Sequence, residues 1–152
     1  MSTVWLNGEL VAPEDASVSA MDHGLTVGDG VFETLRVYDG VPFARRRHLD
    51  RLARSATGLG LPHPDRAVLE RAIDEVLAAS GMADARLRLT VTGGVGPPGS
   101  RRGDGPLTVL AVVSPLDPVA AGADVITVPW TRNENSALAP VSIRTGSLRP
   151  TR

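Results

Sequence analysis

The sequence predicts an α+β domain, a mostly antiparallel sheet with two helices on one side, followed by the start of a truncated second domain. Three observations carry this expectation. Stretches of alternating polarity flank two tight-turn dipeptides, Asn7-Gly8 and Asp39-Gly40, and two consecutive segments repeat apolar residues at helical spacing. A Pro- and Ala-rich connector, "SPLDPVAAGA", then precedes a last apolar stretch, "DVITVPW". Hairpins and consecutive helices segregate to opposite layers of an antiparallel sheet. On this reading residues 1–116 form the N-terminal domain, 117–123 the connector and 124–152 the beginning of the second domain.

Taken in order, "VWLNGELV" opens the chain as a hairpin, because Asn-Gly tolerates the positive φ that a type I′ turn demands at both central positions. In "VFETLRVYDGVPFAR", Val31, Glu33, Leu35 and Val37 alternate with Phe32, Thr34, Arg36 and Tyr38, and Asp39-Gly40 turns the chain into a second strand. Leu49, Leu52, Ala53, Ala56 and Leu59 then recur at helical spacing until Gly58 and Gly60 end the pattern. A second helix starts from an Asp65 cap, runs through Val68, Leu69, Ala72, Ile73, Val76 and Leu77, and stops at Ser80-Gly81. "ARLRLTVT" alternates again, with Leu87, Leu89 and Val91 opposed to Arg86, Arg88, Thr90 and Thr92. "PLTVLAVV" is continuously apolar, as expected of a central strand covered on both faces. The intervening "GGVGPPGSRRGDG" has little that can pack and is expected to be a mobile loop.

Composition excludes several kinds of chemistry. A 152-residue chain with 42% hydrophobic residues and a net charge of -1 can bury a sizeable core and has no overall attraction for phosphate backbones or anionic membranes. Nucleic acid is therefore not the expected partner, and an RNA patch at "ARRRHLDRLARSA" lacks interleaved aromatics in a chain that is 3% aromatic. There is no cysteine, so disulfides, zinc thiolates and a cysteine nucleophile are absent; His23, His48 and His63 show no paired spacing for a metal. No basic and apolar leader opens the chain, and no apolar run approaches the ~18 residues of a membrane span, so no membrane partner and a cytoplasmic location are expected. All 16 basic side chains are arginine. Arginine stays protonated, so no side chain here can form a Schiff base.

Among candidate functional residues, Gly28 and Gly30 bracket Asp29 just before a strand, where the backbone can turn tightly or approach a ligand. His23, beside Asp22, is read as a hydrogen-bonded structural group rather than a base. Arg51 lies one turn into the first long helix, where its guanidinium either faces solvent as part of a charged surface or clamps a phosphate. Arg88, on the polar face of its strand, either receives a substrate carboxylate or points to water.

Together "WLNGELV", "DHGLTVGDGVFETLRVYDGVPFARRRHLDRLARSA" and "RLRLTVTGG" resemble the N-terminal domain of the class IV aminotransferases, the fold-type IV pyridoxal-phosphate (PLP) enzymes. The resemblance covers roughly residues 4–139, and "VGDG" with "RLRLTVTGG" is closer to the aminodeoxychorismate lyase branch. It implies a PLP-dependent lyase, releasing pyruvate and 4-aminobenzoate in folate biosynthesis, or a related aminotransferase. It implies Arg51 as the contact to the cofactor phosphate, Phe32 and Arg88 as substrate-facing positions, a covering loop after Gly93, and a homodimer. Where the family reads Leu-Ala-Gly-Val/Ile-Lys, this chain reads Leu138, Ala139, Pro140, Val141, Ser142. On this resemblance Ser142 takes the place of the Schiff-base lysine, and the family's C-terminal domain is not expected to be present in full. The chain is accordingly expected to be inactive alone, through truncation or a frameshift; the alternative is a non-catalytic module that pairs with a full-length relative.

Overall fold

The computed structural model describes residues 1–99, 101–118 and 122. Apart from Asp117, Pro118 and Gly122, the expected connector over 117–123 and the expected second-domain segment 124–152, with Ser142, lie outside the described residues.

Both dipeptide turns form as their residue types require. Asn7 (φ 50°) and Gly8 (φ 115°) join β1 (Thr3–Leu6) to β2 (Glu9–Val11), and Asp39 (φ 46°) and Gly40 (φ 76°) join β3 (Gly30–Tyr38) to β4 (Val41–Pro42). The two helices are α2 (Arg45–Gly58) and α3 (Arg66–Ser80), preceded by a one-turn α1 (His23–Thr26) that periodicity did not signal. Asp65 caps α3 by accepting from the Ala67 N–H at 2.8 Å, and Gly81 (φ 60°) ends it in the left-handed conformation. β5 (Ala85–Thr92) and β6 (Thr108–Ser114) complete one antiparallel sheet in the order β2-β1-β6-β5-β3-β4 among the described residues.

The helices pack on one face of this sheet, α2 over β3 and α3 over β1 and β6. Strand alternation decides what they cover. Val31, Leu35 and Val37 of β3, Leu87, Leu89 and Val91 of β5, and Val109, Ala111 and Val113 of β6 are buried against Leu49, Leu52, Leu69, Ile73 and Val76, with Trp5 completing the core. Trp5 directs its indole N–H to Glu75 at 2.6 Å, as a buried indole requires.

Two expectations are corrected. β6 is central, but only one of its faces is fully covered among the described residues: Leu110 and Val112 are half-buried on the face opposite the helices, since no second helical layer lies there. The glycine- and proline-rich segment between β5 and β6, expected to have little that can pack, is hydrogen-bonded into the fold along its described limbs. Asp22, buried to 1% exposure, accepts from Gly24 N–H (2.7 Å) and from the hydroxyls of Thr92 (2.9 Å) and Thr108 (2.7 Å), the two roots of that segment. A side chain at Gly24 would collide with Thr92, so the tight approach of α1 to β5 requires glycine there. His23 is the structural group expected: its Nε2 donates to the Pro97 carbonyl at 3.0 Å, while its Nδ1 lies 3.5 Å from Asp29, within ion-pair range but making no hydrogen bond.

Further along the same segment, Arg102 grips Asp29 with two donors, Nε to Oδ2 at 2.8 Å and Nη2 to Oδ1 at 3.1 Å. These hydrogen bonds from Arg102 are the largest influence on Asp29 and hold its carboxyl below the usual value, against the opposing effect of burial. A depressed folded-state pKa means the pair stabilises the fold above the unfolded value of about 3.9 and loses its contribution as pH falls through the lower folded value. We therefore expect the Asp29 carboxyl carbon, followed by NMR, to titrate below the ordinary aspartate range and to move up towards it in Arg102→Gln. An unchanged midpoint in that variant would refute the pair.

Candidate functional site

The alternation of β3 places adjacent residues on opposite faces, and chemistry lies on both. On the helix face, Glu33 interrupts an otherwise apolar row and is only 3% exposed. A buried carboxylate is costly unless matched. The first turns of α2 match it. Arg51 Nε donates to Oε1 at 2.6 Å, its Nη2 donates to Oε2, and His48 Nδ1 lies 2.8 Å from Oε2. Because a carboxylate only accepts, the His48 Nδ1 proton points at Glu33. The 3.3 Å approach of Arg51 Nη2 to that nitrogen is then a meeting of two donors, not a bond. The hydrogen bonds that Arg51 donates to Glu33 push its guanidinium further up, opposed by burial, so Arg51 is a permanent cation. Its side chain is 45% exposed, and with Nε and Nη2 committed to Glu33 it presents Nη1 to an incoming anion.

On the open face, Phe32 is half-buried and the guanidinium carbon of Arg88 lies 3.8 Å from the centre of its ring, a cation–π stack. Arg36 and Arg86 share this face, but each has an acid: Asp84 at 3.0 Å and Asp117 at 2.7 Å. Arg88 has none among the described residues. Desolvation, followed by repulsion from Arg86, pushes its guanidinium down from the ordinary value. Although the residue as a whole is exposed, the face of its guanidinium is covered by the Phe32 ring. An arginine partly desolvated on one face and given no counter-charge among the described residues is suited to a carboxylate.

The two faces meet at an edge. β4 pairs with β3 only at Val37 and Tyr38, so along Gly30–Thr34 the outer edge of β3 has no strand partner among the described residues. A ligand or a second domain at that edge has Arg51 on one side and Phe32 with Arg88 on the other. A separate groove of about 770 Å3 between α2 and α3, bordered by Arg47, Arg54, His63 and Arg66, shares Arg51 but is crossed by the Asp50–Arg66 ion pair at 2.6 Å. No group of three or more His, Asp or Glu gathers as metal ligands among the described residues.

Residues 30–144 match the model of the family described as amino-transferase class IV. The chain belongs to that family. It is 41% identical over 143 residues to a putative branched-chain-amino-acid aminotransferase of Methanocaldococcus jannaschii, covering 90% of this chain and 49% of the relative. It is 36% identical over 121 residues to an aminodeoxychorismate lyase of Bacillus subtilis, covering 76% and 41%. Among solved structures, a hypothetical aminotransferase from Mycobacterium tuberculosis in its PLP-bound form superposes with a TM-score of 0.66 at 33% identity, over 77% of this chain and 41% of that one. The chain thus spans about half the length of the curated relatives it matches. Their names include both an aminotransferase and a lyase, and PLP is implied for the family.

The site fits that cofactor in one respect only. Arg51 offers a phosphate a permanent cation with a free nitrogen. The aldehyde finds no side-chain amine, because the 152 residues contain no lysine. Of the residues the sequence singled out, the structure brings Phe32 and Arg88 into contact and sets Arg51 behind them on the opposite face. Glu33 and His48 were missed as a pair. Their signal was legible, since a glutamate between Val31 and Leu35 on an apolar face needs a cation from the covering helix.

The Glu33–Arg51 pair should carry stability. Arg51→Ala leaves a buried carboxylate with His48 alone, and because Arg51 is itself half exposed the cost should be roughly 2–3 kcal/mol, below that of a fully buried pair. Arg54→Ala, on the exposed side of the same helix, should change stability by no more than about 0.5 kcal/mol. Urea unfolding of both variants checks this, and equal small losses would remove Glu33 as the anchor of α2.

Proposed function

We propose that this domain is the substrate-facing half of a PLP-dependent class IV enzyme, of aminodeoxychorismate lyase type or a related aminotransferase. In this reading Arg51 contacts the cofactor phosphate through Nη1, and Arg88, stacked on Phe32, receives the substrate carboxylate. The observation that carries it is the Arg88 guanidinium lying on Phe32 with no acid beside it among the described residues, while its two arginine neighbours are both matched by acids. The lyase activity, which would release pyruvate and 4-aminobenzoate, is supported by the Bacillus relative and by the "VGDG" and "RLRLTVTGG" stretches.

The 152 residues by themselves are proposed to be catalytically silent, because Ser142 stands in the register of the family lysine and the sequence has no other side-chain amine. That same deficiency favours a second reading, a non-catalytic module that pairs with a full-length relative. The open face of the sheet supplies the surface for such pairing or for a homodimer: Phe32, Tyr38, Phe43, Arg36 and Arg88 are residue types enriched in protein interfaces.

Two measurements test these readings. Titrating the protein with 4-aminobenzoate should shift the NMR signals of Phe32 and the Arg88 Nε–H, and Arg88→Gln should weaken binding roughly 10- to 100-fold, the worth of one charge-assisted hydrogen bond. Binding that survives Arg88→Gln would sink the carboxylate role. Incubation with PLP followed by borohydride reduction should yield no cofactor-mass adduct on any side chain and no pyruvate release; an adduct accompanied by turnover would overturn the silent reading.

A further inference from the structure

The segment joining β5 to β6 is composed of residues that resist packing, yet each of its two described limbs, 93–99 and 101–107, is fastened to the same small region before β3. In the first limb, the Gly94 carbonyl accepts from the His23 backbone N–H at 2.8 Å, the Pro97 carbonyl accepts from His23 Nε2 at 3.0 Å, and the Gly96 N–H donates to the Met21 carbonyl at 3.2 Å. A Cβ at Gly96 would lie 2.6 Å from His23 Nε2, and one at Gly94 (φ 71°) would strike the Pro106 carbonyl, so the limbs fit against His23 and against each other without room for side chains.

In the second limb, one side chain does the fastening. Arg102 reaches Asp29 with Nε and Nη2, donates from Nη2 to the Leu59 carbonyl at 2.7 Å, and donates from Nη1 to the Gly60 carbonyl. Four of the five donors that a guanidinium carries are thereby used, and they join the loop to the turn before β3 and to the end of α2. The carbonyls of Leu59 and Gly60 follow the last turn of α2, where helix geometry leaves acceptors without partners.

The location gives this clasp a consequence. The loop leaves the sheet at Thr92 and returns at Thr108, which pair with each other, and Thr92 pairs with Gly30. Two residues further along the same strands, Phe32 pairs with Thr90 and Thr90 with Leu110. Two residues of strand span roughly 6.6 Å, so the roots of the loop are the next same-face neighbours of the Phe32 row. Asp22, gripping the hydroxyls of both roots, brings α1 onto this end of the open face as well.

We infer that Arg102 is a positioning residue of the substrate face: by locking the β5–β6 loop onto Asp29 and the end of α2, it makes that loop a fixed wall beside Phe32, closing one end of the surface on which a carboxylate meets Arg88. The inference rests on the roles proposed above for Phe32 and Arg88. Arg102 touches no ligand in this arrangement and acts only through the loop. The lowered Asp29 carboxyl is consistent with a pair that stays ionised throughout the neutral range.

The test uses the 152-residue protein, the isosteric Asp29→Asn, Arg102→Gln and the double variant, with 4-aminobenzoate as probe. Hydrogen–deuterium exchange over the two limbs should accelerate tenfold or more in each single variant, with β5 and β6 unchanged. The probe Kd should rise threefold or more although Phe32 and Arg88 are intact. The double variant should be no worse than the singles, because both remove one interaction. Exchange equal to that of the parent in Asp29→Asn would overturn the clasp, and a loosened loop with unchanged probe affinity would overturn the positioning role. Failure of the parent itself to bind 4-aminobenzoate would instead sink the assignment of Phe32 and Arg88, and with it any role for a wall beside them.

Discussion

A carboxylate on the apolar face of a strand needs a cation brought to it, and the orientation of α2 over β3 depends on how Glu33 is met. Apolar contacts between Leu49, Leu52 and the sheet are non-directional and would tolerate small rotations of the helix. The Arg51 fork and the His48 ring do not, because Nε, Nη2 and Nδ1 must all converge on two oxygens of one side chain. The hydrophobic layer thus supplies adhesion, and the ion pair supplies register. It also explains why α2 can begin without a side-chain cap, from Ala44 at φ 52° and with three arginines in its first turn, an arrangement that opposes the helix dipole. Contacts made further along the helix hold it in place.

The open face follows a different rule. Among the described residues the arginines there are sorted by what answers them: Asp84 for Arg36, Asp117 for Arg86, and an aromatic ring alone for Arg88. A ring attracts a cation through its quadrupole without neutralising it, so Arg88 keeps a full charge in a partly dry position. The same face carries half-buried Leu110 and Val112. It is therefore both apolar enough to be covered and charged at one point, the combination expected where an anionic ligand meets an interface.

Those parts of the fold governed by local chemistry could be read from the sequence. Asn7-Gly8 and Asp39-Gly40 demand their turns, Asp65 and Gly81 mark the ends of α3, and the alternation in 31–38 and 85–92 sorts two strands into faces. The sequence was less informative where a group is satisfied by a distant one. "GGVGPPGSRRGDG" has the composition of a free loop, and nothing local reveals that Arg102 finds Asp29 73 positions away. The continuous apolar run of β6 suggested cover on both faces, whereas only the helix side is covered among the described residues. At the site, Arg51, Phe32 and Arg88 stood out by resemblance. Glu33 did not, because alternation sorts β3 into faces without revealing that the cation matching a charge on the buried face comes from α2, 18 positions away.

The geometry of β3 limits how the two arginines can serve one ligand. Phe32 and Glu33 are consecutive, so Arg88 and Arg51 lie on opposite sides of the sheet, and no molecule reaches both by resting on either face. The route between them runs around the edge of β3 at Gly30–Thr34, which β4 leaves unpaired because it is only two residues long. Unpaired strand edges are ordinarily protected, since their free N–H and C=O groups invite association. Here the open stretch lies between the two cations among the described residues, and the loop held by Arg102 and His23 stands at its Gly30 end. On the roles proposed for Arg51 and Arg88 a short β4 suits the site: a longer β4, continued past Arg36 towards Gly30, would pair this edge of β3 and close the passage between the two arginines.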